Sequence, residues 1–231
     1  SDVCSSDLIR YWGASIHADL AAFQFQRSVA NSDYDQVINP GFMREHSRGW
    51  LGYPTLRGHR NGKDWSSHFV AKELKSTKEN FTLILADQSI SLEITLAGKL
   101  DRNGALILDL SLKNLGDDYT LDELWYWLPL PDRADESLDF VGRWSNERNP
   151  QRQKIGIGRW VRDSHEGRSG HNFTIGQIAL TSATTFQTGE SWSAVLKWSG
   201  DTQYCIERTY EGLTALGASE VLLPGEVIVK R

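Results

Sequence analysis

The sequence reads SISLEITL at 89–96 and LILDLSLK at 106–113. Apolar and polar residues alternate in both segments, so the apolar side chains fall on one face of an extended chain. Between the segments lies Asn103-Gly104, a dipeptide that is typical of a tight turn between two strands. The sequence therefore predicts an antiparallel hairpin whose leucine-rich face must be buried against a second sheet.

Several other short apolar segments extend this pattern along the chain. The further strand candidates are 9–25, 124–130, 192–198, 204–208, 221–223 and 227–229. Pro129 and Pro131 are expected to end the strand at 124–130, and Gly200-Asp201 is expected to turn the chain between 192–198 and 204–208. Residues 31–65 are rich in Gly, Pro, Asn and Ser and predict long irregular connections. Many short strands and no convincing helix indicate an all-β protein, a large antiparallel β-sandwich.

The composition excludes some classes of partner and favours another. The net charge is -5, so no basic surface is expected to bind nucleic acid. No apolar run approaches the roughly 18 residues that a membrane-spanning helix requires. Nine tryptophans in 231 residues are many, and their flat rings either fill sandwich cores or stack on sugars.

The first residues, Ser1–Leu8, fit no structural element. They back-translate into a common sequencing-adapter end, which suggests read-through into the gene; an ordinary frayed terminus is the alternative. We expect the sandwich to occupy 9–231 and to be incomplete at both ends. Cys4 and Cys205 are interpreted as free thiols, because two cysteines do not make a disulfide framework.

Three stretches together carry a family resemblance. They are REHSRGWLGYP at 44–54 with LRGHR at 56–60 and DWS at 64–66; GRWSNER at 142–148 with PQR at 150–152; and RDS at 162–164 with GRSGH at 167–171, followed by GE at 189–190, WSG at 198–200 and LLPGE at 222–226. In this order and spacing they resemble the N-terminal domain of family 36 α-galactosidases, particularly the actinobacterial-like branch. The resemblance implies a supersandwich of the galactose-mutarotase-like kind.

The resemblance also implies a function for the whole enzyme. Family members place this sandwich before a catalytic (β/α) barrel and hydrolyse terminal α-galactosides such as melibiose and raffinose with retention. Because both catalytic carboxylates lie on the barrel, none is assigned to this chain, and no cofactor is expected. The implied partners are the chain's own barrel, sister subunits in a homo-oligomer and the α-galactoside, and the implied location is the cytoplasm. The alternatives are a free-standing carbohydrate-binding module and a purely structural assembly domain.

In some family members a loop of this domain reaches the active site of a neighbouring subunit. Its counterpart here would be His46–Trp65, although Leu51–Pro54 departs from the Asp-Phe-Arg run of better-known members. We expect Trp50 and Tyr53 to offer stacking faces and Arg57 to donate hydrogen bonds to sugar hydroxyls. The alternative is that both aromatics are core or interface residues and Arg57 is a surface charge.

A second motif is interpreted as structural. Its residues are Gly142, Arg143, Trp144, Glu147 and Arg148. Glu147 lies among arginines that include Arg152, and cations would keep its carboxylate ionised, so an ion-pair cluster is expected rather than an acid catalyst.

The remaining titratable residues predict no site. The acidic pairs Asp117-Asp118, Asp122-Glu123 and Asp135-Glu136 are expected in solvated loops, since neighbouring side chains on a strand face opposite ways. His165 and His171 are close in sequence but lack companions at ligand spacing, so no metal site is expected.

Overall fold

The computed structural model describes residues 41–173 and 176–231. Within these ranges the chain forms strands and one short 3-10 turn, His46–Arg48. The strands are β1 (Leu56–His59), β2 (Val70–Ser76), β3 (Asn80–Asp87), β4 (Leu92–Leu100), β5 (Leu106–Asn114), β6 (Tyr119–Leu124), β7 (Tyr126–Leu130), β8 (Glu136–Arg143), β9 (Asn146–Lys154), β10 (Gly158–Asp163), β11 (Gln177–Leu180), β12 (Ser191–Ala194), β13 (Thr202–Arg208), β14 (Thr214–Glu220) and β15 (Val227–Val229). The strands expected at 9–25, the terminus 1–8 and Cys4 lie outside the described residues.

The strands form four antiparallel sheets. Sheet I has the order β2-β3-β4-β5, sheet II β1-β6-β15, sheet III β10-β13-β14-β7 and sheet IV β12-β11-β8-β9. The all-β prediction is confirmed. The predicted hairpin is also confirmed, since β4 pairs with β5 from Leu92↔Asn114 to Leu100↔Leu106. No helix in the described part of the chain is long and apolar enough to cross a membrane.

The first core lies between sheets I and II. Leu92, Ile94 and Leu96 of β4 are buried, while the polar residues between them are partly exposed, as the alternation predicts. These side chains pack with residues of the opposing sheet such as Leu56, Tyr119 and Leu121. One-faced strands of this kind are the ones that the sequence pattern identifies most clearly.

The second core lies on both sides of sheet III. Leu130, Ile206 and Leu216 pack with residues of sheet IV, including Ala179 and Trp192. On the opposite face of sheet III, Trp125 and Trp127 pack with Cys205 and Ala215. Because both faces are covered, β14 is buried at every position from Thr214 to Ser219 and shows no alternation.

Several strand predictions are wrong in detail. Pro129 does not end its strand but lies within β7, opposite Ala215. Among the described strands β7 is at the edge of sheet III, where a residue without an N–H is tolerated. Segment 31–65 contains β1, and 221–223 is not a strand. The segments around Gly200 do not form a hairpin, because β12 pairs with β11 in sheet IV whereas β13 pairs with β10 and β14 in sheet III.

The Cys205 thiol provides a test of the second core. Cys205 is free and fully buried, which confirms the sequence interpretation for this cysteine, and burial raises its pKa to about 11. Since the thiolate is the reactive form, only about one thiol in a thousand would be ionised at pH 8. In a Cys4→Ser variant we expect a thiol reagent to label the folded protein very slowly and the guanidinium-unfolded protein at once. Rapid labelling of the folded protein would show that sheet III is not covered as described.

Candidate functional site

A groove of about 310 Å³ lies beside β1, between the 3-10 turn and the segment that leads into β2. Its wall and floor include His46, Pro54, Leu56, Arg57, Gly58, His59, Trp65 and Asp122. This is the segment that the sequence analysis selected, and the structure shows which of its residues face the groove.

The first half of the groove is formed by an irregular segment with tight internal hydrogen bonds. Thr55 Oγ1 accepts the Arg44 N–H at 3.0 Å and donates to the Phe42 carbonyl at 3.0 Å, which fixes the two ends of the segment together. The 3-10 turn between them ends at Gly49, whose φ of 80° is a conformation that glycine adopts without strain. These contacts hold a long loop in one shape without a regular strand.

The second half of the groove is positioned by a tight turn after β1. Arg60 and Lys63 exchange backbone hydrogen bonds across Asn61-Gly62, and both central residues have positive φ, 50° and 77°. Positive φ at both positions is the signature of a type I′ turn. The turn brings Trp65 to the edge of the groove with 70% of its surface exposed, so its ring is available to a ligand.

Arg57 lies on the groove wall and is held there by two partners. Its Nη1 donates to Glu123 Oε1 and to the Tyr53 hydroxyl, each at 2.6 Å. Arg57 and Glu123 are also paired across β1 and β6. Because both side-chain contacts use Nη1, the rest of the guanidinium can donate to a ligand.

Trp50 and Tyr53 do not offer the stacking faces that the sequence analysis expected. Trp50 is only 3% exposed, and the Arg44 guanidinium lies 4.5 Å from its ring centroid. The Tyr53 ring is covered by the Arg159 guanidinium at 3.4 Å and by the edge of Trp125. Burial and the neighbouring Glu123 carboxylate raise the pKa of Tyr53, so its hydroxyl stays protonated and donates to Glu123 at 2.7 Å. Of the three predicted residues, only Arg57 reaches the groove.

Asp122 and Glu123 are not in a solvated loop, contrary to the sequence interpretation. Both lie on β6, where alternation directs Asp122 to the groove and Glu123 to the cluster around Tyr53. Glu123 also accepts the Trp125 indole N–H at 2.6 Å. Glu136, from another acidic pair, is likewise on a strand, β8, and forms an ion pair with Arg152. Pairing with neighbouring strands therefore places these residues in β-structure, although the local composition favours a turn.

Glu45 is the second carboxylate that touches the groove. It is 2% exposed, and burial raises its pKa, although the Phe69 N–H and the Arg48 charge act in the opposite direction. Glu45 Oε1 accepts the Phe69 N–H at 2.9 Å, and Oε2 lies 2.9 Å from Arg48 Nε. One Glu45 oxygen is therefore hydrogen-bonded to the backbone and the other forms an ion pair with Arg48.

The motif at 142–148 forms the tip of the β8–β9 hairpin, far along the chain from the groove. Arg143 pairs with Asn146 at the end of the ladder. The arginine cluster expected around Glu147 is not observed: among the described residues Glu147 contacts His171, with Oε1 3.5 Å from Nδ1, while Arg152 pairs with Glu136. No three His, Cys, Asp or Glu residues in 41–173 or 176–231 gather as metal ligands would.

The comparisons with known proteins agree with this architecture. The glycosyl hydrolase family 36 N-terminal domain matches residues 8–229. The chain belongs to this family. An α-galactosidase from Escherichia coli is 28% identical over 228 residues, which is 96% of this chain and 32% of that protein. A probable α-galactosidase C from Aspergillus terreus is 36% identical over 104 residues, 41% of this chain and 14% of that protein.

Solved structures of family 36 α-galactosidases share the fold. AgaA from Geobacillus stearothermophilus superposes with a TM-score of 0.79 at 15% identity, covering 96% of this chain and 36% of that one. The α-galactosidase from Lactobacillus brevis gives 0.77 at 15% identity, covering 95% and 35%. The family 36 N-terminal sandwich predicted from the sequence is confirmed. The chain spans about a third of the length of these relatives.

Proposed function

We propose that this family 36 domain is the non-catalytic N-terminal part of an α-galactosidase that hydrolyses terminal α-galactosides of the melibiose and raffinose type with retention. The nucleophile and the acid/base would lie on a (β/α) barrel outside this chain, and the domain would support barrel packing and assembly into a homo-oligomer. The support is the family membership and the α-galactosidase relatives. The cytoplasmic location stays a prediction from the family resemblance.

We further propose that the groove contacts the galactoside, within the enzyme or across subunits. The observation that carries this proposal is the exposed Trp65 ring in a groove that Arg57 and Asp122 also line. A sugar ring has an apolar C–H face that packs on an indole, and hydroxyls at its rim that pair with charged groups. The groove supplies both kinds of partner.

Removal of Trp65 is the test of this groove. Calorimetric titration of the 231-residue chain with raffinose is expected to show weak, saturable binding, and Trp65→Ala is expected to weaken it about tenfold or more, as truncating a central aromatic does. Arg57→Ala is expected to weaken it less, because one rim contact is lost. Trp198→Ala removes an exposed tryptophan outside the groove and should change nothing. Unchanged raffinose affinity in the Trp65→Ala variant would show that the groove is not the binding site. A titration without any heat of binding would favour a purely structural domain.

A free-standing carbohydrate-binding module is the second candidate, and the open Trp65 ring favours it as well. Both candidates predict the same titration. The two candidates differ in what the gene must encode, which sequencing of the genomic DNA would show. An α-galactosidase requires that the reading frame also encode a barrel with strand-end aspartates, and a free module does not.

A further inference from the structure

The hairpin tip between β8 and β9 presents a tryptophan that the core does not use. Trp144 is 78% exposed at the two-residue connection of these strands. The tip is nevertheless closely packed: a Cβ on Gly142 would lie 2.6 Å from the Asn146 carbonyl oxygen and 2.7 Å from the Glu147 Cα. Only glycine permits this approach of the strands, so the exposed ring sits on a rigid support.

The backbone of the tip contains a bulge that redirects two charged side chains. Val141 pairs with Asn149 and Arg143 with Asn146, so Glu147 and Arg148 together oppose the single residue Gly142. Arg148 has a φ of 58°, and Ser145 at the turn has a φ of 60°. Left-handed conformations of residues other than glycine cost of the order of 1–3 kcal/mol each and concentrate at ligand sites, where bulges re-aim side chains.

Polar groups surround the Trp144 ring on this support. The His171 ring lies 5.6 Å from it at an interplanar angle of 77°. Glu147 Oε1 accepts the Ser145 N–H at 3.0 Å and lies 3.5 Å from His171 Nδ1. Both contacts with described residues use Oε1, which leaves Oε2 open to a donor. Arg148 is exposed and has no ion-pair partner in the described part of the chain.

We propose that Trp144, Glu147 and His171 form a second binding site for a galactosyl unit, separate from the groove. The ring would pack on the C–H face of the sugar, Glu147 Oε2 would accept hydroxyl protons, and His171 and Arg148 would donate to hydroxyl oxygens. An exposed flat ring with an acceptor and donors nearby matches the apolar face and the hydroxyl groups of a sugar. The choice of galactose rests on the proposed function.

The test is a titration of the 231-residue chain, with ¹⁵N-labelled tryptophan, followed by the indole resonances in NMR spectra. Methyl α-galactoside is expected to shift the Trp144 resonance saturably, and methyl α-glucoside, its C4 epimer, is expected to leave it in place. Glu147→Gln keeps the shape but removes the charge, and should weaken the Trp144 titration about fivefold. The matched control Trp65→Ala should leave that titration unchanged.

The outcomes separate this inference from the proposed function. A Trp65 resonance that shifts while Trp144 is unmoved would overturn the second site and leave the groove intact. Equal shifts of Trp144 with methyl α-galactoside and methyl α-glucoside would overturn its assignment to galactose. The Trp144 resonance could also stay in place with sugars and shift when a family 36 catalytic barrel is added. That result would make the tip a protein-docking surface and would overturn the proposal.

Discussion

Replacing Trp127 by alanine is expected to lower the free energy of unfolding by about 3–5 kcal/mol, the usual cost of truncating a buried aromatic. The ring is 1% exposed and stacks on Trp125 with centroids 5.2 Å apart. Gly217 and Arg44 also pack closely on the Trp127 ring. A Cβ on Gly217 would lie 2.6 Å from the ring, and the Arg44 guanidinium lies 4.9 Å from the ring centroid. The vacated volume therefore has no side chain ready to fill it.

Equilibrium unfolding in urea measures this loss. The matched control is Trp198→Ala, because Trp198 is half exposed and its replacement should stay within about 0.5 kcal/mol of the wild type. Equal losses of stability in the two variants would show that the Trp125–Trp127 cluster does not stabilise the packing of sheet III on the loop that contains Arg44 and Trp50.

Replacing Glu207 by alanine is expected to cost about 1–3 kcal/mol, because the Tyr53 N–H loses its acceptor and the buried Arg44 loses a nearby negative charge. The Glu207 carboxylate is 5% exposed and accepts the Tyr53 N–H with both oxygens, at 2.9 and 3.1 Å. Arg44 is 4% exposed, and burial lowers its pKa to about 10, against the opposing effect of Glu207. The Glu207 charge is the largest of the electrostatic influences that oppose the lowering of the Arg44 pKa by burial.

A double-mutant cycle isolates this coupling. Arg44→Met removes the cation but keeps an apolar chain between Trp50 and Trp127, so the Glu207→Ala, Arg44→Met double variant should be more stable than the sum of the single losses predicts. Strictly additive losses would show that the two charges do not interact across the loop and sheet III.

The sequence was most informative where a strand has one buried face. The β4–β5 hairpin follows directly from alternation and Asn103-Gly104, because sheet I meets a core on one side only. Strand β14 carries the small residues of TALGASE and is buried on both faces, so no period-two signal exists there. The pairing of β14 with β7, far away in the sequence, depends on tertiary packing that no local pattern encodes.

The groove is lined by part of the segment 46–65, but of the three residues predicted there only Arg57 lines it. Trp50 and Trp65 lie in the same glycine-rich segment, and composition alone does not tell the buried ring from the exposed one. The available signal was Asn61-Gly62, a hairpin dipeptide that places the residues after it at the end of β1. Asp122 was missed because its role requires β6 to pair with β1, across more than 60 residues of chain.

The proposed function requires that this domain contacts galactosides without carrying the hydrolytic acids. The most direct measurement is the release of nitrophenol from p-nitrophenyl α-galactoside by the 231-residue chain, compared with its Glu45→Gln and Asp122→Asn variants. No release above buffer is expected from any of the three, because the proposed function puts both hydrolytic acids on a barrel outside this chain. Turnover by the unmodified chain that either substitution abolishes would place the catalytic pair in the groove and contradict the account.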